Sequence, residues 1–439
     1  MPGEYRKKRE ERSGARKRRR RGGNGAVGAT LSGVPEPTRF AWFVTPHGFG
    51  HAARTSAIVE ALGRRLPQVE VELWTSVPKW FFDESLTVAF RRRELACDVG
   101  LIQKSPVEED LPASLSALAS FWGAAESFRT REVAAAVAAS GASCVIADIA
   151  PFGLDVARAA GLPSVLVENF TWDWIYEPLT AAEPRFAVWA ERLRAKFAQA
   201  DLHLQLEPCC RPSVSTSVAP PLPPLPPLPP VARRPRRSRE EIAARLGIPA
   251  GEAIVLVSFG GVEHQLANLD PLARHAGATF VIPGGRPEEK WEGNLRLLPH
   301  HSPVYHPDLV AAADVVVGKL GYSTVAEAMA AHSRMLFVPR PGFRESAVLE
   351  EYVLRRLPAE AMPLAELESG AWVERLAGVL ARPRPAGAAG AAGAAGDSLR
   401  GAEVAAQRIA AWWEARGRAA AGPAADRSGG RIADPAAGE

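Results

Sequence analysis

The chain has 439 residues, 47% of them hydrophobic and 23% charged. That suits two packed domains, and no apolar run is long enough to suggest a membrane span. The four cysteines (Cys97, Cys144, Cys209, Cys210) form no Cys-x-x-Cys pair, so neither a disulfide framework nor a cysteine-bound zinc is indicated, and a reducing, cytoplasmic setting fits. The net charge of +4 is localised: residues 1–21 hold eleven Lys/Arg against three Glu, so the remainder carries −4. No apolar run follows this basic start, so no secretory signal is expected.

Residues 1–39 read as a disordered basic tail. The tail is a candidate for peripheral contact with anionic membrane. Specific nucleic-acid recognition is not expected, because no folded reader lies beside it. From Phe40 the pattern alternates between strand and helix. FAWFVT (40–45) is the first strand, VEVELWTS (69–76) the second, CVIAD (144–148) and PSVLVEN (163–169) two more. One helix is expected through 113–139 and another over 187–200. PPLPPLPPLPP, ending at Pro230, is an extended spacer. A second unit opens with SREEIAARLGI (238–248), where Ser238 and Glu241 form a capping box. Strands follow at AIVLVSFGG (253–261), ATFVIPGG (278–285), DVVVGK and RMLFVP, with a helix at SAVLEEYVLRRL (346–357). An amphipathic helix at 401–417 carries Trp412 and Trp413.

Apolar runs without alternation, separated by helices, imply buried parallel sheets. The expected class is therefore α/β, with two Rossmann-like doubly wound domains facing a cleft. The expected division is a basic tail (1–39), an acceptor domain (40–210), a proline-rich linker (211–237), a donor domain (238–382), an Ala/Gly spacer (383–396), a terminal helix packing back on the domains (397–417) and a disordered tail (418–439).

Two glycine turns carry the chemistry. In PHGFGHAA, Gly48 and Gly50 allow a tight turn and His51 sits where the turn becomes a helix. The helix dipole disfavours imidazolium there, and a neutral histidine beside a pocket can act as a general base. Alone, His51 reads more readily as a helix cap that fills space; the rest of the chain reverses that preference. Gly48-x-Gly50-x-x-Ala53 also fits a dinucleotide fingerprint, but the second strand ends Trp74-Thr75-Ser76 without the acid that pattern needs.

The second site is GKLGYSTVAEA. Lys319, Gly321, Ser323 and Thr324 suit a diphosphate at a helix start. Glu327 suits both hydroxyls of a ribose, although Thr324-x-x-Glu327 also fits a capping box. Gly260 and Gly261 form a further turn fit for phosphate. Glu345 and Ser346 are candidates to face a sugar, and Asp148, Trp172 and Asp173 to face an acceptor, along with His47. No Asp-x-Asp occurs, so no metal is expected to clamp the diphosphate.

Together PHGFGH, SFGG, DVVVGKLGYSTVAEA and PRPGFRES resemble the two-domain GT-B glycosyltransferases, in particular the group of the peptidoglycan N-acetylglucosaminyltransferase. VTPHGFGHAAR, ELACDVG, VIADIAPFGLDVARAAGLPSVLVENFTWDWIY and LGYSTVAEA resemble more closely the N-terminal glycosyltransferase-like region of plant L-arabinokinases, over about residues 40–415. The galactokinase-like half of those proteins has no counterpart in the sequence, so arabinose kinase activity is not implied. The resemblance implies His51 as base, Gly48 and Gly50 facing acceptor and diphosphate, and Tyr305 and His306 holding a uracil. It further implies Gly321, Ser323 and Thr324 at the diphosphate, Glu327 at the ribose and Glu345 at the donor sugar. The group's Gln-containing pattern after the donor strand reads Arg344-Glu345-Ser346 here.

The expected activity is inverting, metal-independent transfer of a hexosyl group from a UDP-sugar co-substrate to an acceptor hydroxyl, with no other cofactor. A nucleotide-sugar epimerase of the same architecture and a non-catalytic nucleotide-sugar-binding module remain as alternatives.

Overall fold

The computed structural model describes residues 38–105, 108–210, 226–260, 266–384 and 400–421. The basic tail, most of the proline spacer, the Ala/Gly tract, the last eighteen residues and Gly261 lie outside the described residues.

The first sheet has six parallel strands: β1 (Arg39–Val44), β2 (Glu70–Trp74), β3 (Phe90–Arg93), β4 (Cys144–Asp148), β5 (Ser164–Glu168) and β6 (Leu202–Gln205), in the order β3-β2-β1-β4-β5-β6. The second comprises β7 (Ala253–Ser258), β8 (Ala278–Pro283), β9 (Lys290–Glu292), β10 (Leu295–Leu298), β11 (Val315–Lys319), β12 (Arg334–Val338) and β13 (Ala359–Ala361), in the order β9-β10-β8-β7-β11-β12-β13. Only β9 runs antiparallel. Each sheet separates two apolar clusters, one per face, as expected when helices cover both sides.

The helices nearest the site are α1 (Phe49–Arg65), α2 (Lys79–Ser85), α3 (His306–Ala312), α4 (Tyr322–Ala330), α5 (Arg344–Arg356) and α6 (Gly401–Ala421). Strands rich in Val and Ile fall where the sequence places them. The capping box forms: Ser238 N donates to Glu241 Oε2 (2.7 Å) and Glu241 N to Ser238 Oγ (3.3 Å). The single helix expected over 113–139 is instead two, Leu111–Phe121 and Glu126–Ala139. Asp110 caps the first, and the chain breaks around Gly123, where a Cβ would meet Ala119 O at 2.7 Å.

Helix α6 lays Ala402, Ala405, Ala406, Ile409 and Ala410 into the core of the first half, against α1. Trp413 meets Phe40 edge-on at 5.5 Å. Leu228 of the linker joins the same core and bonds back to the segment after β6 (Leu228 N to Gln205 O, 2.8 Å). Ile409 is fully buried, so Ile409→Ala should lower unfolding free energy by about 2–5 kcal/mol, measured by denaturant titration.

Candidate functional site

Helix α1 begins directly after β1. Gly48 forms its N-cap at φ +79°, a left-handed conformation that glycine adopts without penalty. No side chain caps the helix, so the first-turn N–H groups are left for a ligand. Helix α4 begins the same way after β11: Gly321 is its N-cap, again without a side-chain bond. Just before it, Gly318 takes φ +147°, and a Cβ there would lie 2.0 Å from Ser258 O, so only glycine lets β11 approach β7 this closely. The two helix starts meet: a Cβ on Gly50 would stand 3.6 Å from Ser323 Oγ.

Between them lies a cleft lined by Phe49, Trp80 and Phe81 of the first half and by His300, His306 and Ser323 of the second. Of the candidate residues, Gly50, Gly260, His306, Ser323 and Thr324 line it.

His51 sits in the first turn of α1, 7% exposed. Register places Val44 of β1 opposite Asp148 of β4, so the Asp148 carboxylate lies beneath that turn. His51 Nδ1 is 3.1 Å from Asp148 Oδ1. Arg54 and Thr55, one turn along α1, donate to Asp148 Oδ2 at 2.9 and 3.0 Å, and Arg54 also binds Oδ1 and Asn169 Oδ1. Asn169 in turn donates to Leu206 O at 2.7 Å.

Arg54 Nη2 also lies 3.1 Å from His51 Nδ1. A bare Nδ1 would set its lone pair against the carboxylate, so the proton belongs on Nδ1, donated to Asp148, which leaves the lone pair on Nε2. Burial lowers the His51 pKa below its ordinary 6.5, against the opposing pull of Asp148. Burial alone would raise Asp148, but the Arg54 cation and the His51 and Arg54 hydrogen bonds hold it below the usual carboxylate range. The result is a neutral imidazole, oriented by an ionised carboxylate.

The second carboxylate, Glu327, is 3% exposed on α4. Its Oε1 accepts from Arg233 Nε (2.9 Å) and its Oε2 pairs with His306 Nδ1 (3.1 Å), while His306 Nε2 is 3.0 Å from Ser258 Oγ. The capping box with Thr324 does not form, because the helix starts at Tyr322 and places Glu327 in its second turn. Glu327 stays ionised despite its burial because Arg233, then His306, face it. Tyr305, expected at the base, instead carries the guanidinium groups of Arg233 and Arg236 over its ring, at 5.2 and 4.3 Å.

The residues expected on the acceptor side separate. Asp148 is fully buried behind His51 rather than facing the cleft. Trp172 and Asp173 are 1% exposed; the Trp172 indole donates to Asp98, and Asp173 accepts from Arg194 Nε at 3.3 Å. Both are therefore held within the first half, although Trp172 still meets His47 edge-on at 5.3 Å. Ser346 is 6% exposed and its hydroxyl oxygen accepts from Arg340 N at 2.9 Å, fixing the turn before α5. Among the described residues no group of three or more His, Cys, Asp or Glu is placed to hold a metal, and no helix is long and apolar enough to cross a membrane.

Sequence reasoning did not single out Arg54, Thr55 or Asn169, although charged and polar residues on the buried face of an amphipathic helix are the available signal. Arg233 belongs in sequence to the basic run Arg233, Arg234, Arg236, Arg237 after the prolines; the structure buries it to 7% exposure.

No family model matches the chain. The L-arabinokinase of Arabidopsis thaliana is 27% identical over 342 residues, which is 77% of this chain and 32% of that protein. The chain thus spans about a third of the length of the relative it matches. Among solved structures, the spinosyn forosaminyltransferase SpnP aligns with a TM-score of 0.50 at 13% identity, covering 87% of this chain and 100% of its own. A UDP-glucosyltransferase from Polygonum tinctorium aligns with 0.50 at 16% identity, covering 85% and 94%. The fold is GT-B. At these identities the likeness establishes architecture alone.

Arg54→Met removes the cation from a buried carboxylate and should cost about 3–5 kcal/mol of stability, read by chemical denaturation. His47 supplies a pH prediction. Burial, then the nearby His51, Lys319 and Arg340, lower its pKa to about 3. Between 6.5 and that value the unfolded chain binds the proton and the folded one does not, so stability falls as pH falls through this window. Melting temperature should decline from pH 6.5 towards pH 4, and less steeply in His47→Gln.

Proposed function

We propose that the protein is a glycosyltransferase that moves a sugar from a nucleoside-diphosphate donor, UDP-linked, to an acceptor hydroxyl. The observation that carries this reading is the His51–Asp148 pair in the first turn of one uncapped helix, next to the Gly50 that lines the cleft opposite Ser323 at the second uncapped start. The GT-B fold is consistent with it, as is the name of the glucosyltransferase it resembles in shape.

In this reading the diphosphate binds the first-turn N–H groups of α4, with Gly260 and Lys319 beside it. The uracil and ribose occupy the cavity next to His306. Because Arg233 and His306 already take both oxygens of Glu327, the ribose hydroxyls either share those oxygens or displace Arg233. The acceptor hydroxyl approaches from the α1 side. His51 Nε2 takes its proton as the oxygen attacks the anomeric carbon, and the bond to the diphosphate breaks, leaving the electron pair on the leaving phosphate. Asp148 stabilises the imidazolium that forms. One base on one face gives inversion at the anomeric carbon, and helix dipoles with Lys319 supply the positive field without a metal.

UDP should raise the melting temperature by mass action while GDP, ADP, dTDP and NAD do so less. Glu327→Ala should abolish the rise, since it releases both Arg233 and His306. His51→Ala should lower kcat at least about 100-fold with UDP binding intact; full turnover by that variant would refute the assignment of the base. Product analysis with and without an acceptor separates transfer from epimerisation.

A further inference from the structure

Arg340 follows β12 and is 5% exposed, yet its Nε and Nη2 have no hydrogen-bond partner. A buried guanidinium with two unused donors is rare and calls for an explanation. Its ring neighbour is Phe343, with the guanidinium carbon 3.4 Å from the centroid. Its nearest carboxylate is Glu345 Oε1, 3.8 Å from Nη1, which is beyond hydrogen-bond length. Glu109, from the short hairpin Gln103–Ser105/Glu108–Glu109 of the first half, acts on the Arg340 charge without bonding it, and its own Oε1 is also buried without a partner.

A second cation stands alongside. Lys319 ends β11, opposite Val338 of β12, so it and Arg340 leave neighbouring strands at the same sheet edge. Burial, and then Arg340, push the Lys319 amine down to about 8. Burial raises the carboxyl of Glu345, against the opposing pull of Arg340 and then Lys319. His47, held neutral, contributes no charge from the α1 side.

We propose that Arg340 and Lys319 hold a carboxylate on the transferred sugar, so that the donor is a nucleoside-diphosphate-linked uronic acid. The inference rests on the donor reading above and adds the class of sugar. Both cations come from the second sheet, at the edge where the diphosphate turn begins, so the anion they face belongs to the donor. A guanidinium with adjacent free Nε and Nη2 presents the fork that a carboxylate takes with two parallel bonds.

The test is calorimetric binding of UDP, UDP-glucose, UDP-glucuronate and UDP-galacturonate to the full chain and to Arg340→Met, Arg340→Lys and Lys319→Gln. The expected result is a preference of about tenfold or more for at least one acidic donor over UDP-glucose. That ratio should collapse in Arg340→Met and shrink in Lys319→Gln, with affinity for UDP itself unchanged by Arg340→Met. Arg340→Lys, which keeps the charge but loses the fork, should retain part of the preference and serves if the methionine variant does not fold. Equal binding of neutral and acidic donors, or a preference that survives loss of Arg340, overturns the inference while leaving the donor reading intact. Failure of the unmodified chain to bind UDP overturns the donor reading, and this inference with it.

Discussion

Two helix N-termini without side-chain caps meet across one cavity, and most of the site follows from that constraint. Each start carries unpaired N–H groups and the positive end of a helix dipole. Bringing two such ends within van der Waals reach of one another is unfavourable unless something negative lies between them. Gly50 and Ser323 face each other where the two starts meet. The architecture concentrates positive field at the junction before any side chain is considered, and it suits a ligand with a diphosphate in its middle.

Beneath each helix start the protein buries a carboxylate, and the two arrangements are alike. Asp148 is bound by an arginine and a histidine, Arg54 and His51; Glu327 is bound by Arg233 and His306. In both cases the arginine keeps the carboxylate ionised where burial alone would protonate it. An ionised carboxylate in turn fixes which ring nitrogen of its histidine carries a proton. The difference lies in what the free nitrogen can do. His306 Nε2 is spent on Ser258 Oγ, whereas the contacts of His51 with Asp148 and Arg54 are made by Nδ1.

Much of this was legible in the residues, for reasons that can be named. Buried parallel strands such as VVVGK and CVIAD are continuous apolar runs, and the turn after each is marked by glycine or a polar residue. Strands β3 and β13 were not legible: β3 is FRRR with alternating exposure and β13 is three residues long, so neither has a run to detect. The His51 helix start could be read because glycine, histidine and an amphipathic pattern are adjacent in sequence. Its partner Asp148 could not, since it is 97 positions away and only strand register brings the two together. The same limit applies to Thr324 and Glu327, whose spacing fits a local cap while the carboxylate is taken by a linker arginine from 94 positions away.

That linker arginine ties the halves together at the cavity itself. Arg233 donates to Glu327 on α4 and, through Nη1, to Ser85 Oγ on α2 at 3.2 Å, with its guanidinium over Phe81 and Tyr305. Arg236 adds a bond from Nη1 to Glu84 O at 2.7 Å, and its backbone N–H binds Asp308 of α3. Moving α2 away from α4 therefore has to break a charged hydrogen bond of Arg233, to Ser85 on one side or to Glu327 on the other, both buried. The connection between the halves is thus part of the cavity wall, with Arg233 lining it while bound to the ionised Glu327 behind.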